Sequence, residues 1–211
     1  VAYEDRQGGY IDDPVIGANI NRVNVAGGRM AASAVLPGDF KLELGALYQS
    51  TKADDAQYAD ATGALKRRAA LAQPFSSQLA LGRFSLLKRW TNGLTLTSIA
   101  SVGHRSAFDR FDSPGGQARP SAYDLQRSST MFANETRLAS DADARVAWVA
   151  GMSLERVKDG QSRAQGNPVD ANPLDEVTNI TRSGSLFGQA RFKLSQVVES
   201  TLGLRFTMAR T

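Results

Sequence analysis

The chain has 211 residues, 42% hydrophobic and 22% charged, with a formal net charge of +4, which supports a folded chain and excludes a disordered one. It has no cysteine and one histidine, so disulfides, zinc–thiolate centres, cysteine catalysis and a multi-histidine metal site within the chain are excluded. No run of about 18 apolar residues exists, so no transmembrane helix is expected. A mean hydropathy of -0.30 still leaves a membrane-spanning sheet open, because half of each such strand is polar.

Apolar residues recur at every second position through most of the chain, the period of a strand with one greasy face. A first strand is predicted over about 1–12, followed by a loop through Pro14 and Gly17. The second covers 22–36, with Ala26, Gly28, Met30, Ala32, Ala34 and Leu36 in phase. Pro37-Gly38-Asp39 is a tight turn. The third strand, 40–52, alternates Phe40, Leu42, Leu44, Ala46 and Tyr48 with Lys41, Glu43, Gly45, Leu47 and Gln49.

A long polar stretch over 53–77 follows, in which 64–72 is a possible short helix. The fourth strand, 78–90, and the fifth, 94–112, are joined by a hairpin turn at Thr91-Asn92-Gly93. A second long loop is expected over 113–128, then a sixth strand over 129–139, a short turn at 140–144 and a seventh strand over 145–158. The Pro-, Asn- and Asp-rich stretch 159–182 is a third long loop; an eighth strand, 183–194, turns at Ser195-Gln196 into a ninth.

Short turns and long connections therefore alternate, which is the pattern of a transmembrane β-barrel with short turns on the periplasmic side. Phe40, Trp90, Trp148 and Phe192 lie near the short turns, where an interfacial aromatic girdle is expected. Both ends of the chain are strand-like, so it reads as a piece of a longer protein.

An ordered set of motifs resembles the barrel region of TonB-dependent outer-membrane receptors, particularly those of sphingomonad-type bacteria. These are Gly8-Gly9-Tyr10-Ile11-Asp12 with Asn21-Arg22, Gly27-Gly28-Arg29 before Leu36-Pro37-Gly38-Asp39, and Ala46-Leu47-Tyr48-Gln49 with Gln57-Tyr58. Asn134-Glu135-Thr136-Arg137-Leu138-Ala139-Ser140, Trp148-Val149-Ala150-Gly151, Leu186-Phe187-Gly188-Gln189-Ala190 and Leu202-Gly203-Leu204-Arg205-Phe206-Thr207 complete it. The resemblance implies that 1–211 is part of a 22-stranded barrel around an N-terminal plug. It implies uptake of ferric siderophores, cobalamin or other large nutrients, driven by the TonB complex. The plug, the TonB box and the family's terminal strand are not in this sequence. The resemblance further implies the outer membrane as location, with lipopolysaccharide as neighbour and no nucleic-acid partner.

Lys66-Arg67-Arg68 is the one tight basic cluster. With Arg119 it is a candidate loop feature for attracting an anionic chelate, against lipopolysaccharide contact or simple solvation. Asp12, Asp13, Asp54, Asp55, Asp170, Asp175 and Glu176 are oxygen-rich loop residues that could meet calcium, but EF-hand spacing is missing and solvated acid is the expectation. Glu135, Arg137, Arg191, Lys193, Glu199 and Arg205 fall on the polar phase, where opposite charges can pair across strands, line the wall and contact the plug. His104 lies on the apolar phase of the fifth strand, and no partner spacing supports catalysis. No phosphate loop, zinc motif or Gly-x-Ser-x-Gly elbow is present. The expectation is a non-enzymatic transporter segment without a cofactor or metal. A passive porin-like barrel and a soluble β-sandwich are the alternatives, and the sandwich requires Phe40, Leu42 and Leu44 to pack on a facing sheet.

Overall fold

The computed structural model describes residues 2–60, 64–113 and 120–211. The alternating stretches form nine strands: β1 (Ala2–Gln7), β2 (Val23–Leu36), β3 (Phe40–Ala53), β4 (Phe75–Arg89), β5 (Thr95–Asp112), β6 (Ala122–Ala139), β7 (Val146–Asn167), β8 (Asp170–Lys193) and β9 (Glu199–Arg210). They lie in one sheet in chain order, every neighbouring pair antiparallel. The β2–β3 turn needs left-handed backbone at Gly38 (φ +79°) and Asp39 (φ +61°), which explains the Gly-Asp pair there.

The register drifts steadily against the turns. One row of paired residues joins Leu36, Phe40, Lys88, Leu96, Leu138, Ala150, Gly188 and Leu204. The row meets the end of β2 and the start of β3, yet lies five residues from the ends Lys193 and Glu199 of β8 and β9. With the short turns at one level, every strand must tilt; such stagger is the shear of a sheet that closes into a barrel.

The pairing puts one apolar set on one face: Met30, Leu44, Phe84, Val102, Phe132, Met152, Leu186 and Phe206, all at least 40% exposed. No second sheet covers them among the described residues. The packing that a sandwich requires is absent there: Leu44 is 56% exposed. The few buried apolar residues, including Ile11, Ile20, Ala69, Ala107 and Ala122, gather at the end away from the short turns. At the short-turn end the apolar face is edged by Phe40, Trp90 and Trp148, and the Lys88 ammonium lies 4.6 Å over the Phe40 ring and 5.7 Å over that of Trp90. An amphipathic cation against aromatic rings suits a boundary between apolar and aqueous layers.

Several boundaries differ from the sequence expectation. β1 ends at Gln7; beyond it Tyr10 and Ile11 donate to Asn21 and Asp12 donates to the Leu65 carbonyl instead of continuing the ladder. Residues 64–72 form no helix; Ala64 and Lys66 carry isolated bridges. β4 starts at Phe75 and β6 at Ala122, so the second long loop shrinks to 113–121. The third long loop, 159–182, is almost wholly strand: β7 runs 22 residues and β8 24, turning at 168–169. Its residues are mostly polar on both faces, with Leu174, Val177 and Ile180 out of any sustained alternation, and antiparallel pairing overrode the low strand propensity of Asn, Asp and Pro. Pro173 is accommodated where the register shifts between Arg163 and Ala164. The expected loop residues 114–116 and Arg119 lie outside the described residues.

Candidate functional site: the polar face and the long-loop end

The polar face is the first candidate surface. By register Glu135, Arg137, Arg191, Lys193, Glu199 and Arg205 all lie on it, opposite the apolar set. They do not pair with one another as expected; among the described residues no ion pair joins any two of them. Arg191 donates to the carbonyl of Ala142, and Lys193 donates to that of Asp143 at 3.1 Å, so both cations brace the 140–145 turn. The carbonyls are nearer to them than Glu199 is, and backbone acceptors at a turn have no ladder partner of their own. Arg205 crosses two strands to donate to Ser185 Oγ at 3.2 Å and Ser153 Oγ at 3.4 Å, and its guanidinium lies 5.7 Å from the Phe187 ring centre. Ile99, Glu135, Ser153, Ser185, Arg205 and Thr207 line an open groove on this face.

Higher on the strands the polar face carries paired charge. Arg127 meets Asp109, and Arg163 meets Asp175 in a two-pronged pair with its Nε 2.7 Å from Oδ1. Asp175, expected as solvated loop acid, is thus a fixed cross-strand partner, while Asp170 and Glu176 stay exposed. On the other face Arg110 forks onto Asp124 with both contacts at 2.7 Å. Fork-to-carboxylate pairs of this kind hold long exposed strands in register.

The long-loop end is a second, better-built site. The loop 8–22 and the loop 54–74 dock on each other through a parallel bridge: Asp12 N–H donates to the Leu65 carbonyl at 3.0 Å, and Arg67 N–H donates to that of Asp12 at 2.9 Å. The Asn21 carboxamide oxygen accepts the N–H groups of Tyr10 and Ile11, both at 2.8 Å, and its amide donates to Gln57 at 3.0 Å. Asp13 accepts from Val15 (2.7 Å), Ile16 (2.9 Å) and Ala69 (2.8 Å). Burial pushes the Asp13 carboxyl up, but the three N–H donors and the Arg67 charge outweigh it and hold it below the ordinary carboxylate value.

The sequence reads Arg67 as an exposed loop cation. It is instead buried, ion-paired with Asp55, and lies 5.1 Å over the Tyr58 ring. Asp55 also accepts the Gln73 N–H at 2.9 Å. Asp13 and Asp55 are therefore structural acids rather than solvated ones: both Asp13 oxygens and Asp55 Oδ1 take N–H donors. Lys66 and Arg68 remain exposed, as does Asp54. His104 is exposed on the apolar phase with Nδ1 3.0 Å from Thr130 Oγ1, a neutral contact that builds no catalytic pair. Sequence reading names Asn21 and Gln57 only as motif residues and misses their bonding role, and it misses Gln73 altogether, because loop polars carry no periodic signal.

No family model matches the chain. No curated protein matches it either. Among solved structures it is similar to the ferric yersiniabactin uptake receptor FyuA from Yersinia pestis, with a TM-score of 0.75 at 16% identity over 99% of this chain. The chain spans 33% of that receptor's length. At this identity the likeness establishes the fold: an antiparallel, all-β, nine-strand meander shared with part of an uptake receptor.

Proposed function

We propose that the chain is part of the wall of a transmembrane barrel of the TonB-dependent receptor type, in the bacterial outer membrane, serving uptake of a ferric siderophore or a similarly large nutrient. The observation that carries this reading is the apolar face, uncovered across eight strands and edged by aromatics, on a sheet whose opposite face is polar. Such a face is stable only against lipid or a partner of equal extent. The staggered register and the likeness to a ferric-chelate receptor favour lipid and a large closed barrel. In this reading a plug domain rests on the polar face around Glu135 and Arg205, and the TonB complex supplies energy through that plug. The assignment to a sphingomonad-type receptor stands on sequence motifs alone.

The test is made on the complete protein that carries this chain. A urea-resistant, heat-shifting band in outer-membrane fractions, with ferric-siderophore uptake that stops without TonB, is the expected result. Uptake independent of TonB would leave a passive porin, and a protein that washes off the membrane would leave a soluble β-domain.

A further inference from the structure

The loop 54–74 contains a strap, 65–73, that runs without helix or strand and is held largely by carboxylates. Arg68 N–H donates to Asp60 at 2.6 Å, Ala69 N–H to Asp13 at 2.8 Å, Ala70 N–H to Asp112 at 2.9 Å and Gln73 N–H to Asp55 at 2.9 Å. The carbonyls of Leu65 and Lys66 accept from the N–H groups of Asp12 and Asp60, and Arg67 N–H returns to the Asp12 carbonyl. The acids come from the loop 8–22, from the end of β5 and from the rest of the strap's own loop; the strap has none. Ala69 is its one buried apolar side chain, and Leu65 is 59% exposed. Polar bonds, not packing, hold the strap down, the mark of a segment that opens locally.

The strap begins with Lys66-Arg67-Arg68. Within this chain adjacent Lys or Arg residues occur only there and at Lys88-Arg89. Lys88-Arg89 ends β4 and is laddered to β5, with Lys88 also paired across to β3. An endopeptidase of paired-basic specificity takes its substrate as an extended strand, through main-chain hydrogen bonds, with the cation before the cut in an acid-lined pocket. The strap has the right residues, and Lys66 and Arg68 are exposed. Arg67, however, is buried on Asp55 and Tyr58, and the backbone groups on both sides of the Arg67–Arg68 bond are engaged.

The mask is imperfect. Arg67 meets Asp55 through one nitrogen and one oxygen, and Arg67 Nη2, Asp55 Oδ2 and Asp112 Oδ1 are buried without a partner. Dry, unpaired polar atoms are costly, and lifting the strap returns them to water. All three are already enclosed by the described residues, so this tension does not arise from an open edge of the sheet.

We infer that the Arg67–Arg68 bond is a conditional cleavage site for an endopeptidase of paired-basic specificity, masked while the strap is down and cut when it lifts. Water is the co-reactant: its hydroxyl goes to the Arg67 carbonyl carbon and its hydrogen to the Arg68 nitrogen, leaving a carboxylate and an amine. The cut parts Arg67, which holds Asp12 and Asp55, from Arg68, Ala69 and Ala70, which hold Asp60, Asp13 and Asp112. The docked loops then separate while the sheet stays whole. The strap lies outside the sheet, so its masking is the same whichever medium meets the apolar face.

The experiment digests the complete detergent-purified protein with an endopeptidase that cuts after Lys-Arg pairs and follows the products by intact mass. Wild type should slowly yield a fragment ending at Arg67, at a rate proportional to enzyme concentration, as when opening is fast relative to cleavage. Lys88-Arg89 should stay intact, and the nicked protein should keep its heat shift. Asp55→Asn retains an acceptor for Gln73 but loses the charge, and should be cut at the same bond at least about ten-fold faster. Asp60→Ala should give a smaller gain in the same direction, and it carries the test if Asp55→Asn loses its heat shift. Arg67→Gln should resist cutting there although its strap amides exchange faster, which separates cleavage from loosening. Equal rates in wild type and the two Asp variants, wild type cut as fast as heat-unfolded protein, cutting only with loss of the heat shift, or no cut in any of them would overturn the site. A wild type without a heat shift refutes the barrel reading instead and leaves the result at the strap standing.

Discussion

Arg67 is clamped onto Asp55 with about 1% of either side chain exposed, and this pair fixes the loop 54–74, whose Arg67 N–H in turn donates to the Asp12 carbonyl of the loop 8–22. The pair lies outside the sheet, so it controls loop order and not the wall. Removing one partner leaves an unpaired buried charge, which typically costs about 3–5 kcal/mol. Arg67→Ala should therefore raise amide exchange across 8–22 and 54–74 while the heat-shifted band of the barrel survives. Unchanged exchange in those loops would refute a clamping role.

Asp13 gives the same loops a pH limit. Its folded pKa is depressed, so its stabilising effect is fully present above the ordinary carboxylate value and is lost as pH falls through the lower folded value. Amides of Val15, Ile16 and Ala69 should stay protected from pH 7 down to about 4 and lose protection only in stronger acid. In Asp13→Asn the protection at neutral pH should already be weakened, and its acid dependence should flatten.

The two faces of the sheet should respond oppositely to charge. Phe84, 40% exposed midway along β4, belongs to the apolar set; its row neighbours are Leu44 and Ala100. Phe84→Arg should destabilise folding into a bilayer by about 2–4 kcal/mol, the cost of arginine near the midplane. Ser101→Arg, on the opposite face of the adjacent strand, should change it by less than about 0.5 kcal/mol. Urea titration of the folded protein in vesicles measures both, and equal effects would argue against lipid on the apolar face.

Gly151 is fixed by close approach. A Cβ there would lie 2.5 Å from the far end of the Phe187 ring and 2.7 Å from the Thr136 carbonyl oxygen. The ring could swing away, but the carbonyl belongs to the neighbouring strand. Gly151→Val should cost about 1–3 kcal/mol in the same titration, as overpacking does. It should also dislodge Arg205, which lies against that ring. Phe187→Ala should release only part of the strain.

The strands inside the apolar band were legible because a face with one fixed environment imposes a period of two: β2, β3, β5 and all of β4 but its first residues fall where the alternation puts them. The extensions of β6, β7 and β8 were not, because above the band both faces meet water and the pattern has nothing to select. Gln161, Arg163 and Gln165 alternate with Ser162, Ala164 and Gly166, polar or small on either side. The loop site was hidden for a related reason: Arg67 and Asp55 look like solvent residues until tertiary contacts bury them. The polar-face charges were placed on the right face, but their partners are turn carbonyls and serine hydroxyls, which sequence spacing does not specify.

The strands of the β7–β8 hairpin, 22 and 24 residues long, exceed the 14 and 15 of β3 and β4, and the hairpin ends at Val169, which is 93% exposed. An unstructured loop of that length would surrender much of its freedom on touching a visitor. A ladder paired nearly to its tip surrendered that freedom during folding, so a molecule arriving from outside meets a rigid mast before it meets the rim.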